Sequence, residues 1–213
     1  MHFGTTGSTN AVARRLAAAG APHGTLVTAG EQTAGRGRQG RTWVTPPGAA
    51  LLGSLVLRRP DPLLSLRGGL AVADVAGPAA RVKWPNDVLL DSRKLAGVLA
   101  EGRPQEGWAV LGIGINLDAS ALPPELAAGS LQRPGEAEAV LAELLVALEL
   151  RLEQEAGEAL DALRARDALL GVPVRWAGGE GTGAGIDDGG RLLVRTPGGE
   201  LALDAGEVHL GSG

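Results

Sequence analysis

The chain has 213 residues, 44% of them hydrophobic and 21% charged, with a formal net charge of −4 and no cysteine. That length supports one large domain, or one domain with a small appendage, and it is enough to bury most of the surface the unfolded chain exposes. The acidic balance argues against a general nucleic-acid binder, which wants a basic face; the missing cysteines exclude disulfides, thiolate metal sites and a cysteine nucleophile.

The start, Met1-His2-Phe3-Gly4-Thr5-Thr6-Gly7, has neither a basic n-region nor an apolar h-region. No apolar run approaches the roughly 20 residues of a membrane helix, so a cytoplasmic protein is expected. Ser8-Thr9-Asn10 offers three N-caps for a helix over Ala11–Ala19 that Gly20 and Pro22 stop. The hydroxyls of Ser8 and Thr9 either only cap that helix or, with its N-terminus, face a polar ligand.

Thr25–Ala29 reads as a strand feeding into Glu31–Trp43, where Ala34, Gly35, Gly37 and Gly40 are interleaved with Arg36, Arg38 and Arg41. Interior glycines spoil a helix by about 1 kcal/mol each and give a strand nothing to pack. The stretch therefore reads as an anion-binding loop, with N–H donors and guanidinium forks suited to carboxylate or phosphate, or as a solvated connector.

Ala50–Leu57 is expected to be a strand and Leu64–Ala76 a helix, tolerating Gly68-Gly69 at a cost until Gly77-Pro78 stops it. Arg81–Trp84, a tight turn at Pro85-Asn86-Asp87, and Val88–Leu90 follow. Leu95–Glu101 and Trp108–Leu117 are further strands; Gly112 and Gly114 leave one face of the latter bare, for a bulge, a packed helix or a ligand against the backbone. Ala119–Pro134 reads as a loop, Glu136–Gln154 as a helix with leucines at helical spacing, and Glu158–Leu170 as a second helix. A boundary falls at Leu170-Gly171, dividing the chain into 1–170 and 171–213. Beyond it, Val172–Ala177, Gly183–Ile186, Leu192–Thr196, Leu201–Asp204 and Val208–Leu210 are short strand candidates. A module of about 40 residues seldom folds alone, so it should pack on the first domain or on a partner subunit.

Among 20 Lys and Arg residues only Lys83 and Lys94 are lysines, and Asn10, Asn86 and Asn116 are the only asparagines. A lysine kept in an arginine-rich chain marks a place for a compact point charge. Both lysines flank Pro85-Asn86-Asp87. Placed in one sheet with the Gly112–Asn116 strand, under the Gly/Arg loop, they make a cleft suited to a nucleotide α-phosphate and an uncharged, ring-like substrate. There is no Gly-x-x-x-x-Gly-Lys-Ser/Thr loop, and Gly35-Arg36-Gly37 opens no helix, so neither phosphate-loop nor dinucleotide chemistry applies. His2, His23 and His209 are too scattered for a zinc site.

Gly35-Arg36-Gly37-Arg38-x-Gly40-Arg41-x-Trp43, Lys83-Trp84-Pro85-Asn86-Asp87, Lys94-Leu95-Ala96-Gly97-Val98-Leu99 and Gly112-x-Gly114-Ile115-Asn116-Leu117, in this order, resemble a biotin protein ligase. Ser8-Thr9-Asn10, Gln32, Gly185-Ile186-Asp187 and Gly190-Arg191-Leu192 fit the same pattern. The resemblance implies an α+β fold, a mixed or antiparallel sheet flanked by helices as in class II synthetases, with a small C-terminal β-barrel domain. It implies Mg²⁺-dependent formation of biotinyl-5′-adenylate from biotin and ATP, then transfer to a lysine of the biotin carboxyl carrier protein of acetyl-CoA carboxylase or a similar enzyme.

Carried over residue by residue, it makes Lys94, Arg38 and Arg41 catalytic, and assigns Ser8, Thr9, Asn10, Gln32, Gly35, Arg36, Arg38, Lys94, Gly97, Gly112 and Gly114 to biotin. ATP falls to Arg38, Arg41, Trp43, Lys83, Asn86, Asp87, Lys94 and Asn116, and the metal to Asp87. In this reading Trp43 packs on the adenine, and Gly112 and Gly114 let biotin lie against the strand. Some relatives carry an N-terminal helix-turn-helix; here Ser8 follows almost at once, so no operator binding and no membrane partner are expected, while a homodimer through an exposed sheet edge is compatible with the family. The alternatives are a lipoate or octanoate ligase or transferase of the same fold and, more distantly, a single-stranded nucleic-acid-binding module.

Overall fold

The computed structural model describes residues 1–59, 61–123, 126, 128–204, 206 and 208–210. The first strand, β1 (His2–Thr6), lies where the sequence shows no alternation; it is held by parallel pairing with β2 (Leu26–Gln32), His2 opposite Thr28 and Thr6 opposite Gln32. Between them runs α1 (Thr9–Ala18), capped by Ser8, whose side chain accepts from the Ala11 N–H. β3 (Ala50–Arg58), α2 (Leu64–Ala76), β4 (Arg81–Lys83), β5 (Asp87–Leu90), β6 (Arg93–Arg103) and β7 (Trp108–Asn116) complete the large sheet and its first covering helices. Its order is β1-β2-β3-β7-β6-β5-β4, antiparallel except for β1 with β2.

Alternation along these strands separates two faces. Val27, Val56 and Val110 turn to α1 and pack with Val12, Ala13 and Ala17. Leu51, Leu57, Leu111, Ile113 and Ile115 turn the other way, into the main core with Leu70 of α2 and with Val140, Leu144 and Leu148 of α3 (Ala137–Glu153). The glycine pair of α2 has a packing reason. A Cβ on Gly68 would lie 3.0 Å from Val98 Cγ1, and one on Gly69 3.3 Å from Val82 Cγ1, so the bare helix face lets α2 sit close to the sheet.

After α4 (Ala156–Ala165) come β8 (Pro173–Trp176), β9 (Gly179–Ile186), β10 (Leu192–Thr196), β11 (Gly199–Leu203) and β12 (His209–Leu210). They form an antiparallel sheet in the order β11-β10-β9-β8-β12. This corrects the expected barrel: among the described residues β11 and β12 are open edges, because neither finds the other as a partner. Several bounds also move, three of them by more than two residues or into the loop. β2 continues through Gln32, β9 opens at Gly179 rather than Gly183, and α4 ends at Ala165 rather than Leu170.

The small sheet packs on the large one. Val174, Ile186, Leu192 and Val194 share a cluster with Leu70 and Trp84. The Trp84 Nε1–H donates to the Gly190 carbonyl at 3.0 Å, and Trp84 itself is buried. Gly190 is required twice over: its φ is 77°, and a Cβ would stand 2.5 Å from Leu63 Cδ2. Asp187 shapes this turn, its Oδ1 accepting from the Gly189 and Arg191 N–H groups. Trp84→Phe keeps an aromatic ring but loses the N–H and part of the indole's bulk, stranding the buried carbonyl, so it is expected to cost about 1–3 kcal/mol or more, read from the urea midpoint.

Candidate active site

Register assembles the site on the α1 face of the large sheet. Leu52 of β3, Gly114 of β7, Gly97 of β6, Asp87 of β5 and Lys83 of β4 lie opposite one another in a single cross-strand row. The next row is Ser54, Gly112 and Leu99, and the next Val56, Val110 and Glu101. Where glycines stand, other side chains come down to the backbone.

Trp43 fills the first bare patch. A Cβ on Gly114 would lie 2.8 Å from its Cε2, and one on Gly97 3.0 Å from its Cζ3. Asn10 fills the second: a Cβ on Gly112 would lie 2.0 Å from its Oδ1. The expectation that Gly112 and Gly114 receive a ligand is therefore amended. The chain's own Asn10 and Trp43 make the close approach, while Gly97, Gly112 and Gly114 still line the cleft beside them.

The Gly/Arg stretch is folded down as a small hairpin. Gly35 and Trp43 are joined by Trp43 N–H to Gly35 O (3.0 Å), Arg36 bridges Thr42, and Gly37 N–H reaches Arg41 O (2.7 Å). Gly35 works at the hairpin's base, where a Cβ would sit 2.3 Å from the Trp43 carbonyl oxygen, so it shapes the loop from behind. A short 3₁₀ turn spans Arg38–Gly40. One Arg38 N–H donates to Gly206 O at 3.3 Å, tying the loop to the small sheet.

Under the hairpin is a cleft of about 710 Å³, counting the solvent space at its open mouth. Its lining includes Ser8, Thr9, Asn10, Gln32, Arg36, Arg38, Arg41, Trp43, Asn86, Lys94, Gly97, Gly112 and Gly114. A second cleft on the other side of Trp43 is lined by Thr42, Trp43, Val44, Lys94, Asn116, Leu122, Leu126 and Ala128. Lys94 and Trp43 belong to both.

Lys94 Nζ is 2.8 Å from Asp87 Oδ1 and 5.6 Å from the Trp43 ring centroid. Its side chain is 40% exposed against 14% for Asp87, so the pair is screened and the ammonium can turn toward an anion in either cleft. Lys83 lies opposite Asp87 in the strand pair and lines neither cleft. Asp87 lies behind Lys94 rather than on the cleft wall. Asn116 is buried and gives both its amide bonds to the chain, to Lys94 O (3.2 Å) and Gly129 O (3.0 Å), so it fixes the Lys94 backbone. Asn86 similarly donates to Val98 O at 3.0 Å.

At the far end, Gln32 Oε1 accepts from the Thr9 backbone N–H (2.7 Å) and hydroxyl (3.0 Å), which leaves the Gln32 amide hydrogens to donate. Two residues here escaped the sequence reading. Ser54, buried at 1% exposure, bonds Thr9 Oγ1 at 2.8 Å and Asn10 Oδ1 at 2.6 Å. Glu101 receives Asn10 Nδ2 at 3.0 Å. The signal for Ser54 was its polarity within an apolar strand; Glu101 had none beyond ending its predicted strand. Among the described residues no group of three or more His, Asp or Glu side chains could cage a metal ion.

Residues 4–118 match the model of the Biotin/lipoate A/B protein ligase family. The chain is 38% identical to the biotin--[acetyl-CoA-carboxylase] ligase of Paracoccus denitrificans, over 97% of this chain and 98% of that protein. It is 39% identical to the enzyme of that name from Mycobacterium tuberculosis, over 96% and 86%. It superposes on the biotin protein ligase of Aquifex aeolicus in complex with biotin and ATP with a TM-score of 0.86, at 28% identity, covering 100% of this chain and 98% of that one.

Proposed function

Because the chain belongs to the Biotin/lipoate A/B protein ligase family, we propose that it activates biotin with ATP to biotinyl-5′-adenylate and transfers the biotin to a lysine of a biotin carboxyl carrier protein. The observation that carries this reading is Lys94, whose ammonium stands at the junction of the two clefts beside the Trp43 ring.

Biotin takes the first cleft, its polar ring toward Thr9 and Gln32 and its carboxylate toward Lys94. The nucleotide base takes the second, against Trp43. A carboxylate is a weak nucleophile, and its approach to an α-phosphate builds negative charge; Lys94, Arg38 and Arg41 converge on the cleft and neutralise it. A Mg²⁺ ion would supply charge neutralisation at the nucleotide phosphates; Asp87, behind Lys94, is the carboxylate that would hold it once Lys94 turns to the anion, and no cage of three acidic or histidine groups is found among the described residues. The hairpin shields the adenylate from water until the carrier lysine displaces AMP. Residues 1–170 are then the catalytic part and 171–213 the appended module.

The proposed setting is the cytoplasm, with a carrier domain rather than DNA or a membrane as partner. No described helix is long and apolar enough to cross a membrane. Two chains pairing along the free edge of β1 is the assembly proposed, and sedimentation reads it.

The test is incubation with biotin, ATP, Mg²⁺ and an unmodified carrier domain. Biotinylated carrier and AMP are expected, with octanoate and lipoate inactive in place of biotin. Absence of biotin-dependent pyrophosphate exchange rejects the assignment. A further outcome concerns Arg38: Arg38→Ala, which frees the hairpin from Gly206, is expected to release biotinyl-adenylate several-fold faster than wild type. Equal release rates reject the retention role.

A further inference from the structure

We propose that Glu101 is a positioning residue: it latches the Gly/Arg hairpin over the cleft and joins that latch to the wall against which biotin packs. The inference rests on the ligase reading and adds to it a residue outside the expected set.

Alternation on β6 turns Gly97, Leu99 and Glu101 to the cleft face. The Glu101 carboxylate, 19% exposed, gathers donors from two separate elements. From α1 come Arg14 Nη1 to Oε1 at 3.1 Å and Asn10 Nδ2 to Oε2 at 3.0 Å. From the hairpin comes Arg36, with Nη2 3.3 Å from Oε1. Asn10 continues the chain, its Oδ1 accepting from Ser54 and filling the hollow over Gly112. One connected set of polar contacts thus runs from the buried wall to the hairpin.

The two arginines differ in kind. Arg14, 38% exposed, projects from a helix; Arg36, 46% exposed, projects from a loop. When the hairpin lifts, Arg14 stays and keeps the carboxylate compensated, so opening strands no half-buried charge. The Arg36 pair is itself half-exposed, and such pairs are weak. Weakness suits a tie that must break each turnover to admit biotin and ATP.

The experiment is limited trypsin cleavage at Arg38 and Arg41, with saturating biotin and ATP, alongside the release rate of biotinyl-adenylate and the melting temperature. Wild type is expected to be protected by the substrates, and less so as salt screens the pair. Glu101→Gln is expected to be cleaved, and to release the adenylate, about fivefold faster, without salt dependence. Arg14→Ala leaves Arg36 as the one arginine on Glu101, beside Asn10, and should protect at least as well as wild type. If Glu101→Gln does not fold, Arg36→Gln, an exposed change, should loosen the hairpin by the same factor. Protection equal to wild type in Glu101→Gln or Arg36→Gln overturns the latch, as does loosening in Arg14→Ala as large as that in Glu101→Gln, since Glu101 would then merely hold α1. Wild-type protein that biotin and ATP fail to protect overturns the ligand reading, and the latch with it.

Discussion

Lys94→Ala is expected to lower biotin-dependent pyrophosphate exchange by roughly 10²–10³-fold, the scale of losing one contact to charge that develops in the transition state. No second lysine replaces it. Lys83 lies beyond Asp87 and lines neither cleft, and arginine forks reach the same space from the hairpin rather than from the sheet. Lys94 stands on β6 just before Gly97, next to the irregular pairing at Val88/Leu89, and Asn116 fixes its carbonyl. Some stability is also expected to be lost, because Asp87 Oδ1 is buried and Lys94 is its partner. The decisive comparison is Lys83→Ala, whose exchange rate should fall far less. A Lys94→Ala enzyme exchanging at the wild-type rate would remove the lysine from the chemistry.

Gly112→Ala should raise the biotin dissociation constant by roughly tenfold to a hundredfold. The added methyl would lie 2.0 Å from Asn10 Oδ1 and 2.7 Å from its Cγ, so Asn10 has to leave. Asn10 is anchored by Ser54 Oγ (2.6 Å), Leu99 O (3.3 Å) and Glu101 Oε2 (3.0 Å), and those bonds break together. Overpacking of this kind costs about 1–3 kcal/mol, each 1.4 kcal/mol being a tenfold change. Titration calorimetry with biotin and the urea midpoint read the two halves of the effect. Should both stay at their wild-type values, Asn10 does not define the pocket wall.

Several parts of this site were legible in the primary structure. Four ordered motifs pointed to the family, and Lys94, Arg38, Arg41, Trp43 and Asn86 all reach the predicted cleft. Less legible were residues whose meaning depends on a partner far along the chain. Ser54 matters through Thr9 and Asn10, and Glu101 through α1 and the hairpin. Asn116, assigned to ATP, lines the second cleft and spends its amide on two carbonyls. β1 escaped notice because its five residues, His2–Thr6, follow no period and gain their strand only from β2.

By itself the sequence determined what depends on near neighbours. A cap for α1 within Ser8-Thr9-Asn10, the stops at glycine and proline, the apolar runs of β3 and β7, and the backbone character of the Gly/Arg stretch are set by local sterics and short-range hydrogen bonds. Tertiary structure decided what fills a glycine's empty space, which lysine enters the cleft, and how the small sheet docks through Trp84 and Gly190. Those outcomes follow from strand register and from contacts between distant segments. A one-residue slip would send each side chain to the other face, and no local pattern records where a distant side chain will land.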